Sequence, residues 1–539
     1  MVERVKTDVM IIGAGPTGLI AANALNKSGI DYICIEKRKD RSPFSKAIGI
    51  HARTLEVFDV LGIAEKFVGA GYPGHRAKIT FDSGKASLLK FYQLESRFPY
   101  LLTIPQNETE DILEEHLREG GGKVDKEHEL VSLVQERDHV LVTVNHNGAC
   151  LEYEAKYVLA CDGVHSKVRE LLDVDFKGEK EGKTFFLADS HIADLDPAYI
   201  TVYISKKGAA VFFPYRDGTF RVLCLDLTIQ HLPHKDNLTE ADVQESVARL
   251  VPFPLKIGKT TWVSNFGTSH RQVENYRHDR VFFVGDAAHI HNPLGGQGMN
   301  LGLQDAVNVT WKLSAVLKGY ASDRYLDTYQ EERWPVAENI IQQTSRTLRM
   351  ISMKGAQAQL RNWIGRSALS SDALQKKMAE SLSHVKYNYR DTEKNKKLVD
   401  SRRSSKSLQA GDRVPDIKML LNDAPDIRLY ELLKRYGFLC FMYIDAEDKE
   451  MVKSTQTLAK KLEAEFEGLI TPFLIVKGGN SYIMENKLPL MYDVYREMES
   501  RIGMEVGSTL FIRPDTHVAF HMKSIEAEKA VNLLHMLFK

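Results

Sequence analysis

The first stretch of the chain alternates apolar runs with glycine-containing turns. Val9-Met10-Ile11-Ile12 has the pattern of a short buried strand, and a helix follows that we expect to end at Gly29. A second apolar run, Tyr32-Ile33-Cys34-Ile35, comes directly afterwards. This order of elements over residues 7–36 predicts a β-α-β unit, in which two parallel strands are joined by a helix.

Further along, the periodicity changes several times. Residues 108–117 have the spacing of an amphipathic helix, and the alternation at 140–144 is typical of a strand in a hairpin that returns to the first sheet. From about 180 to 275, short β runs separated by turns predict a mostly antiparallel sheet inserted into the first domain. The buried-strand pattern Val281-Phe282-Phe283-Val284 returns to that domain, and a long helical region covers about 299–390.

A change of composition marks the end of the helical region. Residues 391–413 are rich in Lys, Arg, Ser and Asp, which indicates a solvated linker; a basic patch that binds polyanions is the alternative. A separate α/β module follows, with strand patterns at 438–443, 471–476, 508–512 and 517–520. We therefore expect an α/β protein with four parts: a Rossmann-like domain (1–180 and 276–345), an inserted mostly antiparallel sheet domain (181–275), a helical extension with the linker (346–400), and a C-terminal α/β domain (401–539).

Composition and charge exclude several classes of protein. The 539 residues are 43% apolar and 27% charged, and 72 basic residues balance 72 acidic ones, so no overall field favours nucleic acid or an anionic membrane. The five cysteines include no C-x-x-C pair, which argues against a disulfide framework or a zinc site and suits a reducing cytoplasm. Because the first strand begins almost at once and no apolar run approaches ~20 residues, we expect neither a signal peptide nor a membrane span. The expected location is cytoplasmic.

The first turn carries the fingerprint of a dinucleotide site. Gly13 permits a tight turn, Gly15 lets the backbone approach a pyrophosphate, and Gly18 lets the helix lie close to the sheet. The helix N-terminus offers amide groups and a positive dipole end to the phosphates. Glu36 ends the second strand, where its carboxylate can accept hydrogen bonds from ribose hydroxyls. We interpret residues 9–36 as the binding site for the ADP half of a dinucleotide rather than a glycine-rich turn without a ligand.

Two later stretches place carboxylates and glycines after strands. Asp162-Gly163 follows a strand and precedes a helix, and Gly285-Asp286 follows another buried strand. Carboxylates at strand ends lie where open α/β sheets bind ligands, so Asp286 can bind a ribityl chain. The loop from Asn292 to Asn300 is rich in glycine and opens a helix, which lets the backbone approach a flat ring and favours negative charge on it.

Together these three stretches resemble the class A flavoprotein monooxygenases, the family of aromatic hydroxylases that includes para-hydroxybenzoate hydroxylase and the phenol hydroxylases. The resemblance covers roughly residues 5–345. Within the family the chain is most similar to multi-domain hydroxylases of phenols, polyketides and rifamycin-type antibiotics. Their C-terminal domain is thioredoxin-like and lacks redox cysteines, as the C-terminal part of this chain does. The resemblance therefore implies a thioredoxin-like fold for residues 401–539.

The resemblance also implies roles for individual residues. The implied FAD-binding residues are Gly13, Gly15, Thr17, Gly18, Glu36, Lys37, Lys46, Arg53, Gln106, Asp162, Gly285, Asp286, Gly298, Met299 and Asn300. Those implied to shape the oxygen-reaction site are Pro293, Gly295 and Gly298.

Three of these assignments have weaker support or an alternative. Lys46 stands where relatives usually have Arg, so it can reach a phosphate but lacks the bidentate fork. Arg53 can equally be a solvated charge at a helix entry, and Gln106 can be an exposed residue at a helix start.

The activity that the resemblance implies is hydroxylation of an aromatic ring. NADPH or NADH reduces FAD, the reduced flavin and O2 give a C4a-hydroperoxide, and that species transfers OH to a phenolic or polycyclic aromatic compound. The alternatives are an FAD-containing reductase or another non-hydroxylating flavoprotein of the same fold, and a scaffold protein that keeps FAD only for structure. A homo-oligomer is compatible with the sequence.

The sequence says little about which residues contact the substrate. The inserted segment supplies aromatic side chains, among them Phe185, Phe212 and Phe213, which form either a pocket or a core. His191, His270, His289 and His291 are candidate proton-transfer groups that no spacing distinguishes. We expect no metal site, because the spacing of His289 and His291 has no acidic partner pattern.

Overall fold

The computed structural model describes residues 4–41, 45, 47–82, 84–230, 238–399, 407–421, 426–478 and 488–539. Within these ranges the strands form three large sheets and one small one. The strands of the first 290 residues are, in chain order, β1 (Val5–Ile12), β2 (Tyr32–Glu36), β3 (Gly49–Ile50), β4 (Tyr72–Gly74), β5 (Arg76–Phe81), β6 (Ser87–Lys90), β7 (Leu101–Thr103), β8 (Asp125–Lys126), β9 (His128–Gln135), β10 (Val140–His146), β11 (Ala149–Ala160), β12 (Lys177–His191), β13 (Ile200–Ser205), β14 (Gly208–Pro214), β15 (Thr219–Asp226), β16 (Thr260–Gln272), β17 (Arg277–His278), β18 (Val281–Phe283) and β19 (His289–Ile290).

The remaining strands all belong to the C-terminal sheet: β20 (Lys418–Leu421), β21 (Asp426–Arg428), β22 (Phe438–Ile444), β23 (Ile470–Lys477), β24 (Leu490–Asp493), β25 (Thr509–Ile512) and β26 (Val518–Met522). The α-helices are α1 (Pro16–Lys27), α2 (Ala52–Leu61), α3 (Ala64–Ala70), α4 (Gln106–Glu119), α5 (Lys167–Leu171), α6 (Glu240–Leu250), α7 (Gly298–Leu317), α8 (Thr328–Ile351), α9 (Gly355–Ser370), α10 (Asp372–Leu382), α11 (Glu393–Lys397), α12 (Leu429–Leu433), α13 (Lys449–Phe466) and α14 (Ala527–Phe538).

The first sheet holds three parallel strand ends side by side. β1 pairs in parallel with both β2 and β11, and β11 pairs in parallel with β18. In this register Ile12 lies beside Ala160, and Ala160 lies beside Phe283. The ends of these strands are fully apolar and buried, as expected for parallel strands that are covered on both faces. The turns that follow the three strands therefore meet at one edge of the sheet.

The second sheet contains the predicted inserted sheet and three strands from outside residues 181–275, of which β19 pairs with β16. Its order is β19-β16-β12-β15-β14-β13-β5-β6, and most neighbouring strands are antiparallel. β5 and β6 come from residues 76–90, ahead of the predicted insertion at 181–275, and β5 joins β13 in parallel. The sequence analysis missed β5 and β6 because β5 pairs with β13, more than a hundred residues away, and such a pairing leaves no local pattern in a six-residue strand.

The helical region begins with α7, which lies across the first domain. Nearly every residue of α7 is buried, and it packs against α1 and α8. α8 continues towards the second sheet, where α9 and α10 contact β6. None of the helices in the described ranges is both long enough and apolar enough to cross a bilayer.

The C-terminal sheet has the order β21-β20-β24-β23-β22-β25-β26. β22 is parallel to β23 and antiparallel to β25, and all seven of its residues are buried. The described parts of 391–413 are packed against the protein instead of forming a solvated linker. Asn395 is buried and donates from Nδ2 to the carbonyl of Tyr389 at 2.7 Å, and Leu398 is buried as well. Residues 400–406 of this predicted linker lie outside the described residues.

A buried charge network joins the C-terminal domain to the first domain. Arg513, in the turn between β25 and β26, donates to Glu332 of α8 at 2.6 Å and to Asp515 at 2.5 Å. Lys312 of α7 donates to the same Glu332 at 2.8 Å. The side chains of Lys312, Glu332, Arg513 and Asp515 are all at most 5% exposed. Each charge has therefore lost its hydration and is stabilised by the opposite charges beside it.

We predict that Arg513→Ala destabilises the protein by about 3–5 kcal/mol, because it leaves buried carboxylates with too little positive charge. The matched control is Arg4→Ala, which breaks an exposed pair with Glu152 and is expected to cost less than about 1 kcal/mol. Urea unfolding of both variants measures the difference. Equal unfolding midpoints for the two variants would contradict the structural role given to the network.

Candidate functional site

The edge where the three strands end opens into a cavity of about 770 Å³. Its lining comes from all three predicted motifs, among them Gly15, Asp162 and Asp286. This is the position at which open α/β sheets bind ligands, outside the carboxyl ends of the strands. The volume lies within the range typical of cofactor and small-molecule sites.

Each of the three fingerprint glycines meets a different steric requirement. Gly13 has φ +99°, and a Cβ there would stand 2.6 Å from the carbonyl oxygen of Cys161. A Cβ on Gly18 would stand 1.8 Å from the carbonyl oxygen of Gly13. Around Gly15, by contrast, a Cβ would meet no protein atom within 4 Å, although the residue lines the cavity. Gly13 and Gly18 are therefore required by the protein's own packing, whereas Gly15 leaves room for a ligand at the start of α1.

Glu36 lies at the cavity wall with its carboxylate already oriented. One oxygen accepts from the Ala14 amide at 3.0 Å, and the other accepts from Arg38 Nε at 2.9 Å. Burial alone would raise the pKa of Glu36, but the hydrogen bonds from Arg38 and Ala14 outweigh it and hold the pKa below its usual range. Lys37 and Arg38 line the cavity beside it, and Arg38 was not among the predicted residues.

Gln106 begins α4 and lines the cavity as predicted. Its Nε2 donates to Glu110 at 2.9 Å, while its Oε1 accepts from the Ala47 amide at 3.3 Å. Burial raises the pKa of Glu110, which also lines the cavity and was not predicted. Gln106 thus joins α4 to the segment at residues 47–48. Lys46, the predicted phosphate contact in that segment, lies outside the described residues.

Asp162 supplies a buried acceptor at the cavity wall. Its Oδ2 accepts from the Val168 amide at 3.1 Å, whereas its Oδ1 is buried and has no hydrogen-bond partner among the described residues. Burial raises the pKa of Asp162. An acceptor buried without a partner costs free energy, and a ligand hydroxyl or amide in the cavity would remove that cost.

The Gly285-Asp286 turn brings two helices close to the sheet. Gly285 has φ +62°, and a Cβ there would stand 2.7 Å from Thr17 Oγ1 and 3.3 Å from the Cα of Gly302. Gly285 therefore permits the close approach of α1 and α7 and does not line the cavity itself. Thr17 and Asp286 do line it, and Asp286 is exposed towards it.

The loop before α7 contributes Pro293 to the lining, and the first turn of α7 contributes Gly298 and Met299. The first hydrogen bond of α7 runs from the Leu301 amide to the Gln297 carbonyl at 2.9 Å, so the preceding amides have no acceptor within the helix. The Pro293 carbonyl, which was expected to shape the oxygen site, accepts from the Gly296 amide at 3.0 Å. Part of its acceptor capacity is therefore used inside the turn.

Two predicted residues of this loop support the cavity from behind. Gly295 has φ +84°, and its carbonyl is 2.8 Å from Nε2 of His51, which faces away from the lining. The Asn300 side chain is fully buried and donates to the carbonyls of Gly49 and Gly296 at 2.9 Å. We correct the assignment of Gly295 from a residue of the oxygen-reaction site to one that holds the loop in place, since it does not line the cavity. The assignment of Asn300 concerned its backbone amide, which lies at the helix N-terminus, and it stays a prediction.

Arg53 does not line the cavity, and we withdraw it from the candidate site. It is 4% exposed and donates to Glu56 at 3.1 Å, to Thr516 Oγ1 at 2.6 Å and to the Asp515 carbonyl at 2.7 Å. The residue is thus a buried contact between α2 and the C-terminal domain. The sequence could not show this contact because Thr516 and Asp515 lie more than 450 positions away from Arg53.

Several functional positions in the cavity were not predicted. Gln297, Phe266 and Ile290 line it. His291, one of the four histidines that the sequence offered as proton-transfer groups, also lines it, and its Nε2 is buried without a partner among the described residues. Burial lowers the pKa of His291 to about 4. His289 points elsewhere, bonded at 2.6 Å to Asp305, which Arg333 also binds. Within the described residues no cluster of three His, Cys, Asp or Glu side chains could hold a metal ion.

The cavity therefore combines the features that a flavin dinucleotide requires. Amides at two helix N-termini suit a pyrophosphate and an electron-rich ring, and Glu36, Asp162 and Asp286 offer acceptors to hydroxyl groups. The family model described as "FAD binding domain" matches residues 6–344. The chain belongs to the class A flavoprotein monooxygenases.

Individual relatives agree with this family over most of the chain. The aromatic compound monooxygenase YhjG of Bacillus subtilis is 31% identical over 86% of this chain and 91% of its own length. Pentachlorophenol 4-monooxygenase of Sphingobium chlorophenolicum is 30% identical over 95% and 93%. The solved structure of OxyS, an anhydrotetracycline hydroxylase from Streptomyces rimosus, is 27% identical, with a TM-score of 0.78 over 99% of both chains.

We predict opposite effects for alanine at two fingerprint glycines. Gly18→Ala should destabilise the FAD-free protein by about 3 kcal/mol, because the new methyl group overlaps a backbone oxygen. Gly15→Ala should change that stability by less than about 1 kcal/mol but weaken FAD binding at least about tenfold, equivalent to about 1.4 kcal/mol. Thermal unfolding and FAD titration measure the two effects. Unchanged FAD affinity in Gly15→Ala would contradict the position assigned to the pyrophosphate.

We also predict that Asp162→Asn separates protein stability from FAD affinity. The amide keeps the bond from Val168 but removes a buried charge, so the FAD-free protein should gain up to about 1 kcal/mol at neutral pH, while FAD binds about tenfold more weakly. Because burial raises the pKa of Asp162, its ionised form costs stability above that raised pKa. The gain should therefore shrink as the pH falls through the raised pKa towards 3.8. A gain that is constant across this pH range would contradict the assignment.

Proposed function

We propose that this protein hydroxylates a phenolic or polycyclic aromatic compound, consuming NADPH or NADH and O2. Bound FAD supplies the redox chemistry and the oxygen activation. The chain itself binds the cofactor, orients it and keeps water from the reacting centre. The family assignment and the names of the relatives support this proposal, and the structure adds a cluster of apolar side chains beside the cofactor cavity.

The observation that carries the proposal is an apolar cluster that adjoins the cofactor loop. Ile48 lines the cofactor cavity and belongs to the same cluster as Leu294, the residue after Pro293. The cluster continues over one face of the second sheet through Phe185 and Phe213. Phe185 stacks on Phe266, another cavity residue, with ring centroids 5.9 Å apart. Apolar side chains at this place suit an aromatic ligand and limit the access of water.

The residues that line the cavity take the following roles in our proposal. Gly15, Thr17 and the amides at the start of α1 bind the pyrophosphate, and Glu36 with Lys37 binds the adenosine ribose. Asp162 and Asp286 accept hydrogen bonds from the ribityl chain. The amides at the N-terminus of α7, from Gly298 to Asn300, stabilise negative charge on the flavin ring.

Arg221 holds the segment that leads into this site. Its guanidinium is fully buried, donates to Asp189 at 2.6 and 2.7 Å and donates to the Ala47 carbonyl at 2.6 Å. A bidentate pair of this kind has a fixed geometry, so the inserted sheet and residues 47–48 keep one relative position. We propose that Arg221 positions the wall between the substrate region and the cofactor, without itself touching the reacting atoms.

For the C-terminal domain we propose a thioredoxin-like fold without redox activity. The order β23-β22-β25-β26, with β22 and β23 parallel and β25 antiparallel to β22, supports that fold. Cys440 lies fully buried in the middle of β22, and burial holds its pKa well above its usual value. A thiol in this position cannot act as an exchanging thiolate. The domain's contacts with Arg53 and Glu332 favour a structural role.

The proposed function is tested by following NADPH and NADH oxidation by the FAD-loaded protein with a panel of phenols and polycyclic aromatics under 18O2. We expect one or more compounds to accelerate oxidation and to gain one labelled oxygen.

In Leu294→Ala, which shortens a side chain of the apolar cluster next to Pro293, a larger share of the reducing equivalents should appear as H2O2. Leu360→Ala, the same truncation at a 58% exposed position of α9, is the control. NAD(P)H oxidation that never transfers labelled oxygen would instead indicate a flavin reductase.

A further inference from the structure

A second cavity of about 760 Å³ lies on the other side of the cofactor loop. It is lined by β12, β16 and α8, which contribute Glu181, His270 and Ser345 among others. Glu181 forms the wall between the two cavities: it accepts from Asn292 Nδ2 at 3.1 Å and from Ser345 Oγ at 2.8 Å. Because Asn292 lines the cofactor cavity and directly precedes Pro293, the second cavity adjoins the oxygen-reaction side of the site.

The mouth of this second cavity is strongly cationic. Lys180 and Lys183 of the β12 strand face Arg346 and Arg349 of α8 across it. None of the four has a carboxylate within 4.0 Å in the described part of the chain. The carboxylates in the lining are Glu179, which is exposed, and Glu181, which is engaged by Asn292 and Ser345. The excess positive charge attracts an anionic group.

Two apolar side chains also line the second cavity. Ile341 and Leu348 of α8 line it, and Leu348 belongs to the same buried cluster as Leu294 and Ile48. A ligand that fits the whole cavity therefore has an apolar body directed towards the cofactor loop and a negative charge at its outer end. The phosphates of a nicotinamide dinucleotide share the negative charge, but Ile341 and Leu348 in the lining favour a ligand with an apolar body, such as an aromatic compound.

We propose that the second cavity is the entry and binding site for an aromatic substrate that carries an anionic group, such as a carboxylate. This proposal rests on the proposed function and narrows its substrate class. The side chains of Lys180, Lys183, Arg346 and Arg349 hold the anionic group. The aromatic body lies along Leu348, on the side of the second cavity that Glu181 and Asn292 separate from the loop at Pro293.

The test compares 6-hydroxy-2-naphthoate with its neutral methyl ester. Binding of each to the FAD-loaded protein is measured by the change in flavin absorbance and by naphthol fluorescence, for the unmodified protein and for Arg346→Gln/Arg349→Gln. Both arginines are exposed on α8, and among the described residues their one side-chain hydrogen bond to another residue is a 3.4 Å contact from Arg346 to Gln342, so folding should be unaffected. We expect the double variant to bind the acid about tenfold more weakly, as loss of a charge-assisted contact implies, and the ester within twofold.

Two controls separate a local effect from a general loss of charge. Lys453→Gln/Lys460→Gln removes two positive charges from the exposed face of α13, and it should leave the affinity for the acid unchanged. Raising the salt concentration from 20 to 200 mM should weaken binding of the acid and not of the ester. The KM values for NADPH and NADH are measured in the arginine variant as the second arm.

The outcomes are decisive in each direction. Equal affinity for acid and ester, preference for the ester, or failure of the acid to bind would overturn the proposal. So would a rise in the KM for NADPH or NADH with no change in the affinity for the acid, because it would assign the cations to dinucleotide phosphates. Oxygen transfer to the ester alone would leave the proposed function standing and remove this inference. Oxygen transfer to no aromatic compound in the earlier panel would remove both.

Discussion

The parallel register of β1, β11 and β18 is the constraint on which the rest of the structure depends. It places Ile12, Ala160 and Phe283 side by side, so the three turns that follow must share one small region. That crowding explains why two of the turns tolerate no side chain at Gly13 and Gly285: the neighbouring atoms are those of another turn or of a helix that begins there. The cavity exists because the backbone of the three turns converges at one edge of the sheet, while the space beyond that edge is left open. The cofactor site is thus a consequence of strand pairing as much as of individual side chains.

Buried charges extend this organisation away from the cofactor. Asp305 of α7 binds both His289 and Arg333, and the nearby Arg333 charge keeps the Asp305 pKa below its usual range although burial opposes it. Arg333 also donates to the hydroxyl of Tyr389 at 3.0 Å. Ion pairs of this kind contribute little net stability compared with apolar packing, but they are strongly directional. They therefore hold α7, and with it the amides that face the cofactor, in one orientation relative to α8 and to Tyr389 of the helical extension.

The sequence predicted the local parts of this design and missed the long-range ones. The β-α-β fingerprint, the Asp162 turn and the glycine-rich loop depend on short-range rules of turns and strand ends, so their positions at the cavity follow from their patterns. Arg53 shows the limit: a basic residue at a helix entry looks the same whether it faces solvent, a phosphate or a hydroxyl and a carbonyl group about 460 residues away. The same reason applies to β5 and β6, and to Gly295 and Asn300, whose partners His51 and Gly49 come from a distant segment. Short motifs predict which backbone approaches a ligand, but not which neighbour holds it there.

The contacts of α2 have a consequence for how the polypeptide reaches its final state during synthesis. Glu56, fully buried in α2, accepts from Arg413 at 3.0 Å and from Arg53, and Arg53 reaches Thr516 and Asp515. Until residue 413 and the segment around residues 515–516 have been translated, Glu56 and Arg53 lack these neighbours. The packing around α2 is therefore completed only after that segment has left the ribosome, although the fingerprint at residues 9–36 is synthesised much earlier.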